Sequence, residues 1–194
     1  MSVQRALIVG AGHGGVQLAA SLRQDGWTGE VVLIGEEPTL PYQRPPLSKA
    51  YLAGKSTIDE LAIRSAEFYR KQGIKLVDAT VEAIDRSAGR LALSTGDALP
   101  YDKLALCTGA RPRRLATSGA DLAGVYYLRT AADVEMIRAA ARPGRRAVIV
   151  CLALGALALL IAVLALGSGD APIPPDRVLR AIFVGDQRFD RLVV

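Results

Sequence analysis

Ala6-Leu-Ile-Val-Gly-Ala-Gly-His-Gly-Gly-Val16 is the stretch that decides the fold. Four apolar residues, Ala6 to Val9, stop at a glycine, the pattern of a strand buried on both faces of a parallel sheet. From Val16 to Leu22 the apolar residues recur at helical spacing, and the segment closes near Gly26. Val31-Val-Leu-Ile34 is a second buried strand. Strand, glycine turn, helix and strand within about thirty residues make a βαβ unit, so the two strands should run parallel and the fold class should be α/β.

The glycines carry the chemistry. Gly10, Gly12 and Gly15 stand at G-x-G-x-x-G spacing directly after a strand and at the opening of a helix. Gly10 allows the tight turn, Gly12 lets backbone approach a pyrophosphate, and Gly15 lets helix and strand pack closely. The free amides and the positive end of the helix then hold phosphate. Glu36 follows Gly15 by 21 residues, at the end of the second strand, where an acid hydrogen-bonds the adenosine ribose. Glu37 stands beside it and leaves the choice of ribose ligand open. These features together predict a Rossmann-like dinucleotide-binding fold; the alternative is a glycine-rich turn that binds nothing. His13, the one histidine, sits inside the loop with no Ser or Cys beside it, and reads as a loop residue.

Further along, four prolines between Glu36 and Leu47 exclude regular structure there. A helix is expected around 65–72, strands at 75–77 and 80–84, a hairpin from 90 to 99, and another buried strand at 104–107. Thr130 with Asp133 forms a capping box for a helix to about Ala141. No internal repeat is present. Cys107 and Cys151 form no paired motif, which excludes a disulfide scaffold and a zinc cluster and suits a reducing compartment. The net charge of +5 comes from scattered arginines without interleaved aromatics, so no nucleic-acid partner is expected. The apolar run after Arg5 ends too soon in glycine for a signal peptide, so the first domain is expected to stay in the cytoplasm.

Leu40-Pro-Tyr-Gln-Arg-Pro-Pro-Leu-Ser-Lys49 makes the resemblance specific. With Ala50-Tyr-Leu-Ala-Gly-Lys55, Tyr101-Asp-Lys-Leu104, Thr108-Gly-Ala-Arg-Pro112 and Tyr127-Leu-Arg-Thr130, it is similar to FAD-dependent ferredoxin reductases of the putidaredoxin and rhodocoxin reductase kind, within the pyridine nucleotide-disulfide oxidoreductase superfamily. The resemblance covers residues 3–150. It implies FAD as cofactor, ferredoxin or rubredoxin as partner, and electron transfer from NAD(P)H as the parental activity. It also implies that Gly14, Glu36, Arg44, Lys49, Val81, Thr108, Gly109 and Arg129 contact FAD beside Gly10, Gly12 and Gly15. The absence of cysteine before Cys107 agrees with a branch that uses no redox disulfide. No metal site and no catalytic side chain are expected.

Ala147 to Leu166 then runs twenty residues without a charge or an amide side chain. As a helix it would span about 30 Å, the thickness of a bilayer's hydrocarbon core. Arg145 and Arg146 on one side, against Asp170 on the other, put residues 1–146 inside the cell, tethered to the inner membrane. A buried strand followed by a core helix is the alternative. The family's second nucleotide fold should open at 147–150 and run into another glycine fingerprint, where Cys151-Leu-Ala-Leu-Gly155 stands instead. Residues 152–194, with Leu166-Gly-Ser-Gly169, Pro172-Ile-Pro-Pro175 and Arg188-Phe-Asp-Arg-Leu-Val-Val194, resemble the start of an iron–siderophore ABC transporter permease. The expected organisation is therefore a partial FAD-binding domain (1–146), a transmembrane helix (147–166) and a permease-like tail (167–194). The expected seam of a gene fusion lies near 146–151. The leading expectation is a truncated, membrane-tethered FAD-binding module that does not turn over. The others are a non-catalytic permease fragment with a passenger domain, and a soluble nucleotide-binding domain whose last helix is buried in a dimer.

Overall fold

The computed structural model describes residues 4–141, 144 and 146–149. The chain divides into two compact units, Met1–Gly144 and Arg145–Val194, and the elements described all lie in the first. They are β1 (Arg5–Val9), α1 (His13–Gln24), β2 (Glu30–Gly35), α2 (Ala66–Lys71), β3 (Ile74–Asp78), β4 (Val81–Asp85), β5 (Arg90–Leu93), β6 (Ala98–Pro100), β7 (Lys103–Leu106) and α3 (Ala131–Ala140). Four strands make a parallel sheet in the order β3-β2-β1-β7, and β4, β5 and β6 make an antiparallel sheet.

The two apolar runs of the sequence occupy the centre of the parallel sheet because both of their faces are covered. Leu7, Val9, Val32 and Ile34 point to one side, where Ala79 and the antiparallel sheet's Leu91 and Leu93 close over them. Ile8, Val31 and Leu33 point to the other, against Val16 and Ala19 of α1, Tyr69 of α2 and Ile74. Strand residues alternate faces, so an unbroken apolar run fits only a strand sandwiched in this way. A third cluster, Tyr42, Leu47, Tyr51, Leu61 and Val134, packs the proline-rich segment onto α3.

Most expected elements stand within a residue or two of their sequence-based bounds. α1 starts at His13 rather than Val16, because Gly12 takes the extended N-cap conformation (φ −89°, ψ −170°) one residue earlier. The Thr130–Asp133 capping box is present in both directions. Regular structure was not expected among the prolines, yet Pro45–Ser48 forms a 3₁₀ turn, as does Asp59–Leu61. Proline's fixed φ suits the first turn of such a helix.

The Tyr69 hydroxyl is buried without a hydrogen-bond partner, and burial pushes its pKa up to about 12. Replacing it by Phe removes an unsatisfied polar atom, and Tyr69→Phe should gain about 1 kcal/mol of stability. An unfolded tyrosine loses its proton near pH 10, before the folded one does. The wild type therefore loses stability as pH rises from 10 to 12, and the variant should lose less over that window. Urea titrations at pH 7 and pH 11 check both points; a lower midpoint for the variant at pH 7 would contradict them.

Among the described residues no helix is long and apolar enough to cross a membrane. Of the expected span, residues 147–149 carry no helix. Residues 150–166 and the expected permease-like tail, 167–194, lie outside the described residues.

Candidate functional site

Parallel strands bring their carboxyl ends to one edge of a sheet, and the turns leaving that edge form the natural ligand crevice. Here β1 delivers Gly10, β2 delivers Glu36 and β7 delivers Thr108 to that edge. The turns are fastened by backbone bonds: Gly10 N–H donates to Ile34 C=O (2.8 Å), Cys107 N–H to Val9 C=O (2.7 Å) and Ala79 N–H to Gly35 C=O (2.7 Å). Between them lies an open cleft of about 230 Å³. Gly10, Gly12, Glu36 and Arg44 line it, and Val81, Thr108, Gly109 and Arg129 complete its walls.

The glycines of the fingerprint serve two different purposes. Gly10 has φ +109°, and a Cβ built there would collide with the Cys107 carbonyl. A Cβ on the buried Gly15 would collide with the Gly10 carbonyl and stand 3.0 Å from the Leu33 side chain. Those two positions are required by the chain's own packing. Gly12 and Gly14 are not: an added Cβ at either meets nothing within 4 Å. Gly14 faces open space, whereas the space above Gly12 belongs to the cleft and is a cradle that a side chain would fill. No side chain caps the first turn of α1, and no acid sits in it. Its amides and the positive end of the helix dipole are therefore left for an anion from outside.

The adjacent acids are separated by their partners. Glu36 is exposed on the cleft wall, and among the described residues its carboxylate makes no hydrogen bond or ion pair. Glu37 is half-buried and fully engaged. Its Oε1 accepts from Arg44 Nη2 (2.8 Å), and its Oε2 accepts from the Tyr42 hydroxyl (2.5 Å). Burial first, and then the bond to Glu37, push the Tyr42 pKa up to about 12. The Tyr42 oxygen accepts from Ala131 N–H (2.9 Å), and Arg44 Nη1 donates to the Arg129 carbonyl (2.6 Å).

Arg129 brings positive charge to the rim. A Cβ on Gly109, which has φ +68°, would stand 3.1 Å from Arg129 Nη2, so the guanidinium lies against the Thr108–Gly109 turn. Three residues named from sequence do not line the cleft. Gly15 is buried beneath Gly10, Gly14 lies exposed in the first turn of α1, and Lys49 is exposed just past the 3₁₀ turn that ends at Ser48. His13 is exposed at the head of α1, without a hydrogen-bonded side chain among the described residues. Among those residues no cluster of metal-ligating side chains occurs.

Some contributors were missed in the sequence. Gly35 must be glycine because a Cβ there would stand 2.7 Å from Ala11 Cβ, pressing on the glycine turn. Its place at the end of a buried strand, facing that turn, was the available signal. Cys107 and Arg111 also line the cleft. The residues present fit a dinucleotide such as FAD: a side-chain-free cradle with unshielded amides for the pyrophosphate, an unpaired carboxylate for ribose hydroxyls, and arginines on the rim.

Residues 4–151 match the pyridine nucleotide-disulphide oxidoreductase family. The chain is 41% identical over 181 residues to a probable ferredoxin reductase of Castellaniella defragrans, covering 92% of this chain and 44% of that protein. It is 46% identical over 132 residues to a rhodocoxin reductase of Rhodococcus erythropolis, covering 68% of this chain and 31% of that one. Among solved structures, a ferredoxin reductase of Rhodopseudomonas palustris superposes with a TM-score of 0.66 at 45% identity, over 70% of this chain and 34% of that one. The chain thus spans between 31% and 44% of the length of these relatives. A match over 92% of the chain reaches beyond residue 150. Likeness to a reductase therefore continues past the expected seam, and the permease resemblance of residues 152–194 finds no support in these matches.

Proposed function

The chain belongs to the pyridine nucleotide-disulphide oxidoreductase family, and from that premise we propose that it is the FAD-binding module of a ferredoxin-reductase-type flavoprotein. The observation that carries this reading is the cradle over Gly12, empty of the chain's own atoms and sharing the cleft with Glu36 and Arg129. In this reading the amides of the α1 first turn hold the pyrophosphate and Glu36 accepts from the adenosine ribose. Arg129 pairs with a phosphate oxygen. Thr108, Gly109 and Val81 wall the cleft. FAD, when bound, supplies the exchange of electrons between a nicotinamide donor and an iron–sulfur acceptor. The activity to which the module contributes is electron transfer from NAD(P)H to a ferredoxin or rubredoxin; relatives named as a ferredoxin–NAD(P)(+) reductase of Sphingomonas and a rubredoxin-NAD(+) reductase of Pseudomonas putida support it.

The finer organisation is part of the same proposal: a partial FAD-binding domain over 1–146, a membrane-spanning segment over 147–166 and a tail over 167–194. The charge-free run from Ala147 to Leu166, with Arg145 and Arg146 ahead of it, supports a tether that leaves residues 1–146 on the cytoplasmic side. No second G-x-G-x-x-G stands at 147–155, which supports binding of FAD without NAD(P)H turnover by these residues alone.

One preparation tests both parts. Cells making the chain are fractionated, and the protein is purified in mild detergent for its visible spectrum. The expected result is recovery with membranes and paired flavin bands at close to one FAD per chain. A colourless protein that takes up no added FAD would refute the cofactor assignment. Recovery without detergent in the soluble fraction would refute the tether and leave the cofactor reading standing.

A further inference from the structure

The second acid after β2 is occupied in a way that bears on the cleft. Each oxygen of the Glu37 carboxylate accepts from a different side chain, Arg44 on one and Tyr42 on the other. Those two side chains are packed together, the Arg44 guanidinium carbon 5.4 Å from the centre of the Tyr42 ring. Both then continue to the same place. Arg44 donates to the carbonyl of residue 129, and Tyr42 accepts from the amide of residue 131. Residues 129–131 are where the chain enters α3, and their one long side chain on the cleft wall is Arg129.

We propose that Glu37 is a positioning residue, whose carboxylate holds Tyr42 and Arg44 as the arms of a bracket that fixes residues 129–131 and thereby aims the Arg129 guanidinium across the cleft. The residue types are those the task needs. Only a carboxylate offers two acceptor oxygens in fixed relation, and a side-chain amide would accept from one arm and present a donor to the other. Tyr42 is buried and Arg44 and Glu37 are half-buried, so the bonds are protected from competing water. Two of the Arg44 nitrogens are committed to Glu37 and to the 129 carbonyl, so Arg44, itself on the cleft wall, also serves the cofactor through Arg129. The bracket itself stands on geometry alone; its effect on FAD rests on the function proposed above.

The test is a double-mutant cycle with two readouts. Glu37→Ala, Arg129→Ala and the double variant are titrated with FAD by flavin fluorescence, and exchange of the Ala131 amide proton is followed in the cofactor-free chains. Glu37→Ala should weaken FAD binding about 10-fold in the wild-type background and change it less than about 2-fold when Arg129 is already Ala, because coupled residues do not add. The Ala131 amide should exchange about 10-fold faster once its acceptor is released. An equal loss of affinity in both backgrounds would overturn the proposal, since a merely structural role multiplies through. Unchanged exchange at Ala131 would overturn it as well. If Glu37→Ala does not fold, Tyr42→Phe takes its place, severing one arm without touching charge; faster exchange at Ala131 is again required. If the wild type takes up no FAD, the proposed function fails, and the bracket is judged on the exchange readout alone.

Discussion

Gly12→Val should leave the chain folded and weaken FAD binding by roughly 100-fold or more, a loss of about 2.7 kcal/mol. The two halves of that expectation come from separate observations. Gly12 sits at φ −89° and ψ −170°, an extended conformation that valine adopts readily, and a Cβ there meets nothing within 4 Å. The exchange does replace a tolerated N-cap residue with a poor one, which costs about 1 kcal/mol at most. The volume that the valine methyls would enter is the volume above the α1 first turn, where a pyrophosphate must come close enough to reach backbone amides. The check is a pair of measurements on the same preparation: a thermal unfolding curve of the cofactor-free chain, and a fluorescence titration with FAD. FAD affinity equal to that of the wild type would move the pyrophosphate away from this turn.

What the sequence made legible follows the same division between what the chain requires of itself and what a ligand requires of it. The central strands could be read because an apolar run admits few alternatives when it stops in glycine, and the faces of Leu7 and Ile8 then follow from alternation. The α1 fingerprint could be read because its spacing is tied to a strand before and a helix after. Less legible was whatever depends on contacts distant in sequence. That Glu36 and not Glu37 is left for a ligand is decided by Tyr42 and Arg44, and by a segment more than eighty residues away. Spacing gives no account of such pairing. The proline-rich segment gave its identity through resemblance but hid its local order, since composition excludes a long helix there without showing that Pro45–Ser48 turns. Lys49 was named from the same motif, and the turn that ends just before it leaves it exposed away from the cleft wall.

Gly15→Ala provides the complementary result, a chain that loses stability before any ligand is considered. Only one carbon is added, the same carbon that Gly12→Ala would add three residues earlier. At Gly15 it has nowhere to go: the Gly10 carbonyl occupies its place, and the Leu33 methyl stands 3.0 Å away. Neither neighbour can yield cheaply. Gly10 is held by the hydrogen bond its N–H donates to the Ile34 carbonyl and by a φ of +109° that packs it against the Cys107 backbone. Leu33 is about 1% exposed in the middle of the sheet, where interior atoms are close-packed. Relief therefore means lifting α1 from β1 and β2. Overpacking of this kind costs about 3 kcal/mol, and more where backbone must move. Urea titrations of Gly12→Ala and Gly15→Ala should separate by about that amount, with Gly12→Ala close to the wild type. Equal midpoints would mean that α1 is not pressed onto the sheet as closely as these distances require. The separation also bears on the cofactor. Of the three glycines at G-x-G-x-x-G spacing, Gly10 and Gly15 are demanded by packing, so the bare backbone at Gly12 has no internal cause, and the space above it is left for something the chain does not itself supply.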